Sequence, residues 1–439
     1  MSKINYQEIT EKLVKQAKTK DANVRISIRN DKSFGVGIRN GEVEELQEAG
    51  STSLSLSVNL DNKTASAATS DMSENTLETL LNNAIERAKY SSIDESAIFP
   101  EFEKLTVNPE SLKLYSPEIK NISPEEKINA AKKLEEICLK DKRITLSAGS
   151  SYNTNESEYF LALSNGFFGS YKSSSCSVGI YLQAGNDATA TQDGWSDSAR
   201  EPKNLLSIEE VAKVAIDRAT RMQGAKKIPT QTVPVIIDRY AASAVFGFFR
   251  ECINGRNIYM QQSIFAGKLN EQIANKNITL FDDPLIPASP AARPFDGEGI
   301  PCRKNIIIEN GVLKNYILNT YSAKKLGLKV NGFASGTSNL FLQEGKHSEA
   351  DLIKSVDKGL LLLRTMGQGT DATNGGFSKG AYGIWIEKGE LTHPVSEVTI
   401  SSNLKDMLMG INMVANNPDK RKAWQIPTFK IDAMTISGE

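Results

Sequence analysis

The same succession of elements is written twice in the first 223 residues of this 439-residue chain, and nothing else in the sequence narrows the fold as far. In residues 7–18, Ile9, Leu13, Val14 and Ala17 recur at helical spacing. Segments 24–29, 34–39, 47–60 and 64–69 alternate as strands, and Leu77, Leu80, Leu81, Ala84, Ile85 and Ala88 mark a closing helix. The order then restarts. Ser123-Pro124-Glu125-Glu126 is a capping box with proline at the first helical position, and it opens a helix carrying Ile128, Ala131, Leu134 and Cys138. Strand-like segments return at 144–147, 159–163, 167–182 and 188–191. A second box, from Ser207 to Glu210, opens a helix with Val211, Val214, Ala215, Ala219 and Met222. Asn40-Gly41 and Asn165-Gly166 lie 125 residues apart and predict type I′ hairpins at equivalent places, because both residue types tolerate positive φ.

The expected fold class is therefore α+β. Residues 1–225 form an N-terminal α+β domain built from a duplicated helix–β-meander–helix unit, 1–95 and 120–223. The short polar run Gly224-Ala225-Lys226-Lys227-Ile228-Pro229 reads as a boundary. Residues 230–439 read as a C-terminal β-rich domain with a curved sheet or partly closed barrel. Its expected elements are a strand at 233–237, a helix at 241–253, and a hairpin at 305–318 about Asn310-Gly311. A short helix at 349–356, strands at 360–366, 381–387 and 395–401, and an amphipathic helix at 404–414 complete it.

Composition limits the chemistry. The 52 Lys+Arg balance 53 Asp+Glu, so the chain lacks the basic excess that attracts nucleic acid or anionic lipid. No window approaches 18 consecutive apolar residues, and the first residues are charged, so neither a membrane span nor a secretory leader is expected. Cys138, Cys176, Cys252 and Cys302 are far apart, which predicts reduced, buried thiols in a cytoplasmic protein; a disulfide framework is the alternative. There are only two histidines, His347 and His393, and neither belongs to a paired metal-binding array.

Several short motifs fail on their context. Gly367-Gln368-Gly369-Thr370-Asp371-Ala372 fits a dinucleotide fingerprint, but Thr373-Asn374-Gly375-Gly376 forbids the helix that must follow. Gly376-Phe377-Ser378-Lys379-Gly380 fits a nucleophile elbow, yet it runs into a strand, and His393 lies just past the same hairpin. Ser322 to Lys325 has S-x-x-K spacing within a solvated helical turn. Cys252, beside Arg250 and Glu251, has the helical phase of a packing residue. Glycine density from 367 to 383 implies either turn chemistry or close approach by a ligand peptide or partner chain.

Longer blocks carry a family resemblance. Pro294-Phe295-Asp296-Gly297-Glu298-Gly299, Tyr321 through Leu328, Met366-Gly367-Gln368-Gly369, Phe377 through Glu387 and His393 through Leu404 resemble the TldD/PmbA family. Arg39 through Glu44 is similar too, so the resemblance covers nearly the whole chain and is strongest from about 290 to 410. TldD-type members carry a zinc-binding H-E-x-x-x-H helix with a cysteine near the C-terminus, and the family is implicated in trimming unfolded peptides. The PmbA (TldE) type lacks that motif and pairs with TldD. An older label for the family, modulator of DNA gyrase, finds no support in the charge pattern.

The resemblance implies the PmbA/TldE type here. The counterpart of the zinc helix, 241–253, holds Phe246, Phe249, Arg250 and Glu251 and no histidine. The last cysteine, Cys302, lies far upstream of the C-terminus. Expected are a non-catalytic subunit with no cofactor of its own, a TldD-type zinc peptidase as partner, and an unfolded peptide as substrate. Gln368, Ser378, Lys379, Tyr382, Ser396 and Glu397 are the candidate peptide- or partner-binding groups. Two alternatives stay open: a metal-independent peptidase acting through Ser378 or Cys252, and a homo-oligomeric peptide-binding module.

Overall fold

The computed structural model describes residues 5–186 and 190–438. Asn5 caps α1 (Tyr6–Lys18), its side chain accepting from the Glu8 amide. β1 (Asn23–Arg39), β2 (Glu42–Leu60), β3 (Lys63–Thr69) and α2 (Glu74–Lys89) follow. Then come α3 (Pro124–Leu139), β4 (Ile144–Leu163), β5 (Phe168–Ala184), β6 (Thr191–Ala199) and α4 (Ile208–Thr220). Both sequence capping boxes form as reciprocal bonds, Ser123 with Glu126 and Ser207 with Glu210. The strands make one six-stranded sheet in the order β3-β2-β1-β4-β5-β6. Its centre is the antiparallel β1–β4 pair, so the second helix–meander–helix unit mirrors the first across that seam.

The strands are longer than alternation suggests. Segments 24–29 and 34–39 are one strand, as are 144–147 and 159–163, because ladder pairing carries the chain through polar stretches such as Asn30-Asp31-Lys32. Of the strand expected at 188–191, residues 188 and 189 lie outside the described residues, and β6 starts at Thr191. Asn40 (φ 53°) and Gly41 (φ 76°) make the type I′ turn. At Asn165-Gly166 only Gly166 has positive φ, 100°, so this turn differs. The Asn165 side chain instead accepts from the Phe167 amide and donates to the Pro100 carbonyl, which holds the backbone in an Asx turn.

Each helix pair covers part of the sheet. Leu13, Ala17, Leu77, Leu81 and Ile85 pack on Val24, Ile26, Ile28, Leu54, Leu56 and Val58. Ala131, Leu134, Val211 and Ala215 pack on Val178, Ile180, Leu182 and the far end of β1, Val36 and Ile38. The first half of β2, Glu42 to Ser51, lies beyond both pairs and is exposed.

The C-terminal domain runs β7 (Gln231–Ile237), α5 (Ser243–Cys252), α6 (Gly255–Tyr259), β8 (Leu280–Asp282), β9 (Asn305–Glu309), β10 (Val312–Leu313), α7 (Thr320–Leu326) and β11 (Leu340–Leu342). It continues with α8 (Glu349–Lys354), β12 (Lys358–Met366), β13 (Thr370–Asp371), β14 (Gly376–Glu387), β15 (Glu390–Asn403), α9 (Leu404–Gly410), β16 (Ile411–Val414), β17 (Trp424–Gln425) and β18 (Phe429–Ser437). Pairing runs β12-β7-β18-β15-β14, and β14 returns to β12, which closes a five-stranded barrel. A second sheet, β10-β9-β8-β11-β17, lies beside it. The helix expected over 404–414 stops at Gly410, because residues 411–414 are recruited by β18 as β16.

Candidate functional site

α5, the helix expected from the sequence to stand where a zinc helix would, is a packing element. Phe246 meets Phe429 edge to face with centroids 5.5 Å apart, and Phe249 meets Phe265 at 5.6 Å. Both phenylalanines are at most 1% exposed. Phe248 reaches Phe377 of β14 at 6.4 Å, so the helix is fastened to the barrel wall. Arg250 and Glu251 point outward, Arg250 over the Trp424 ring at 5.2 Å. None of these aromatic groups can donate to a metal. Among the described residues no three His, Cys, Asp or Glu side chains are placed to hold one.

The hydrolytic alternatives fare poorly on geometry. Cys252 is fully buried, and burial pushes its thiol up to about 12, so the thiolate needed for attack does not form near neutrality. Cys138, Cys176 and Cys302 are likewise free, buried thiols raised by burial. Ser378 is exposed on β14 opposite Ser401. His393 is eight residues from Ser401 along β15, roughly 25 Å at about 3.3 Å per residue, so it cannot serve Ser378 as a base. The His393 ring instead bonds to the Thr392 hydroxyl at 3.2 Å.

Of the glycines at 367–383, Gly369 and Gly383 serve the barrel itself. A Cβ on Gly369 (φ 154°) would strike the Ser378 carbonyl, and one on Gly383 the Leu361 carbonyl. Close approach is real, but the approaching backbone is the chain's own.

A cleft of about 510 Å³ opens where α4 and β6 face the barrel. Tyr382, Ser396 and Glu397, three of the six sequence candidates, line it. Gln368, Ser378 and Lys379 do not; they sit at the β12–β14 end of the barrel, where the Ser378 amide donates to the Gly369 carbonyl at 2.7 Å. The linker forms part of the cleft wall, since Lys226 exchanges backbone bonds with Pro394 and Ser396 of β15. Glu397 (φ 54°) turns out of the strand and pairs with Lys227 at 3.1 Å.

Sequence reasoning missed the arginines there. Arg218 pairs with Asp193 at 3.2 Å, both nearly buried, and lies over the Trp195 and Tyr240 rings at 5.3 and 5.9 Å. Arg364 stacks on Tyr382 at 4.7 Å. Arg221 has a buried Nε without a partner, and burial lowers its pKa. Burial raises the nearby Asp238 carboxyl. Arg218 lies in the last turn of α4 and Arg221 caps it, on a helix that also carries Glu209, Glu210, Lys213 and Asp217, so their spacing alone gave no signal. Chemically the cleft offers guanidinium and hydroxyl donors; among the described residues no hydroxyl there bonds to a carboxylate or histidine that could act as its base.

These features define a scaffold in which a six-stranded sheet with its helices adjoins a closed barrel, whose core helix is lined by phenylalanines and which faces an arginine-lined cleft. The description "PmbA/TldA metallopeptidase C-terminal domain" matches residues 230–438, the central domain of that family residues 117–223, and its domain 1 residues 24–88. The metalloprotease PmbA of Escherichia coli O157:H7 is 30% identical, over 96% of this chain and 94% of the relative. The PmbA homolog of Haemophilus influenzae is 29% identical over 95% and 92%. A Bacteroides thetaiotaomicron structure described as a modulator of DNA gyrase superposes with a TM-score of 0.93 at 28% identity, covering both chains completely. TldE from Thermococcus kodakarensis, 23% identical, shares the fold with a TM-score of 0.85 over 98% of this chain and 100% of its own. The chain belongs to the PmbA/TldD family of metallopeptidases.

Proposed function

We propose that this chain is the PmbA/TldE-type, non-catalytic subunit of a peptidase complex whose zinc sits in a TldD-type partner, and that the pair trims unfolded peptides in the cytoplasm. The observation that carries the reading is α5. Where a TldD-type helix would present metal ligands, this one presents Phe246 and Phe249 to a closed core. A TldD homolog of Buchnera aphidicola is itself similar to this chain, 26% identical over 55% of it, which is consistent with two related subunits. Exposed Gln368 and Ser378, with Lys379, would meet substrate or partner at the barrel end. Tyr382, Ser396 and Glu397 would do so at the cleft.

The test is reconstitution with a TldD-type H-E-x-x-x-H relative. Zinc content and cleavage of an unfolded peptide are measured for each chain and for the pair. The reading expects activity that depends on both chains, with zinc carried by the relative. Stoichiometric zinc or peptidase activity in this chain alone would refute it.

A further inference from the structure

The mirrored halves of the N-terminal sheet are treated unequally. β5 corresponds to β2, and β6 covers the edge of β5 only from Cys176 to Ala184, as β3 covers that of β2 only from Leu54 to Leu60. The remaining stretch of β5 is covered within the chain at Ser174 and Tyr171. The Ser174 amide donates to the Leu114 carbonyl at 2.9 Å, and the Ser174 hydroxyl accepts from the Ser116 amide at 2.9 Å. Buried Phe295 of the C-terminal domain packs on Tyr171, with centroids 5.4 Å apart.

The equivalent stretch of β2, residues 42–53, has no such cover. Glu42 through Ser51 are all exposed, including Val43 at 41% and Leu46 at 56%. One side of the stretch pairs with β1, and among the described residues no backbone bond reaches its other edge. An uncovered edge about 12 residues long is a template for strand addition and is ordinarily blocked. Its charge selects the occupant. Glu42, Glu44, Glu45 and Glu48 lie on the stretch, with Arg39 neutralising only Glu44, at 3.2 Å. A second copy would set Glu42, Glu45 and Glu48, without an ion pair among the described residues, against the same three, which like-charge repulsion opposes.

We propose that this edge receives an extended, lysine- or arginine-bearing strand of the partner subunit, with apolar side chains covering Val43 and Leu46. The inference rests on the reading that the chain works with a different subunit, and it names the surface. The strand it needs is the counterpart of what segment 114–116 and Phe295 supply to β5.

The experiment uses the full chain with a TldD-type relative. Pair affinity is measured for wild type and for the exposed triple variant Glu42→Lys, Glu45→Lys, Glu48→Lys, with Leu46→Lys as a second variant. Hydrogen exchange at residues 42–53 is followed with and without the relative. Expected are an affinity loss of about tenfold or more in the triple variant, and slowed exchange at the outward amides of 42–53 in the wild-type pair. A wild-type pair with unaltered exchange there, and equal affinity in both variants, overturns this docking surface and leaves the subunit reading standing. Absence of any wild-type pair overturns the subunit reading and this inference with it. Concentration-dependent protection of 42–53 in the isolated chain also overturns it, by making a second copy the occupant.

Discussion

Phe246 shows how one residue type changes what a helix can be. At 0% exposure, against Phe429, it contributes packing that no histidine could reproduce without burying polar nitrogens. Phe246→Ala should cost about 3–5 kcal/mol, read as a lower urea midpoint. Asp282 makes a different prediction. Its carboxylate accepts from the amide and hydroxyl of Ser338, yet burial dominates and raises it to about 6. A carboxyl raised on folding holds its proton better in the native state, so its stabilising contribution is complete below the ordinary value near 3.8 and is lost as pH rises through about 6. Relative to Asp282→Asn, the wild type should therefore lose up to roughly 3 kcal/mol between pH 4 and pH 7. Urea unfolding of both proteins at four pH values checks the sign, and a pH-independent difference would discard it.

Elements with a local cause were legible in the sequence. Both capping boxes and the Asn40-Gly41 turn specify their conformation within four residues, and all three form. The repeated helix–meander–helix order emerged from such signals. β6 did not, because Thr191-Gln192-Asp193-Gly194-Trp195-Ser196-Asp197-Ser198-Ala199 has few β-forming residues and is a strand only through its pairing with β5. The same competition shortened α9, where Ile411 to Val414 continue the apolar helical pattern but find backbone partners on β18. At the site, the family blocks marked Tyr382, Ser396 and Glu397, which line the cleft. Arg218 and Arg221 gain meaning only when α4 is set against the barrel, so no spacing rule would have joined them to Arg364. Gly383 belongs to this scale as well. An alanine there would press on Leu361 across the β12–β14 seam, so Gly383→Ala should cost about 1–3 kcal/mol and loosen barrel closure. Faster hydrogen exchange in both strands, with the Asn40-Gly41 hairpin unchanged, is the expected signature.

Polar anchors and two apolar clusters, one about Phe295 and one about Ala292, join the N-terminal sheet to the rest of the chain, and that sets how the whole molecule should unfold. Asp197 of β6, 1% exposed, accepts from the Leu206 amide at 2.8 Å and from Arg421 Nε at 2.9 Å, with a second bond from Arg421 Nη2. Arg200 donates to the Ser289 and Pro290 carbonyls of the C-terminal domain and to Leu114. Trp195 and Tyr240 meet between these anchors with centroids 4.8 Å apart. Because Arg421 is about one-third exposed, removing its partner frees it into water, while the Leu206 amide loses its acceptor. Asp197→Ala should therefore destabilise the contact by about 2 kcal/mol, less than for a fully buried pair. The chain has three tryptophans, and Trp195 alone lies in the N-terminal domain. In urea, the fluorescence of an Asp197→Ala protein that retains only Trp195 should change at lower denaturant than the far-ultraviolet signal of the barrel. The Arg200→Ala, Asp197→Ala double variant should separate the two transitions further. Coincident transitions in the double variant would mean that the contacts it leaves in place, the Phe295 and Ala292 clusters and the Asp94–Tyr321 and Glu103–Arg303 pairs among them, hold the parts as one cooperative unit.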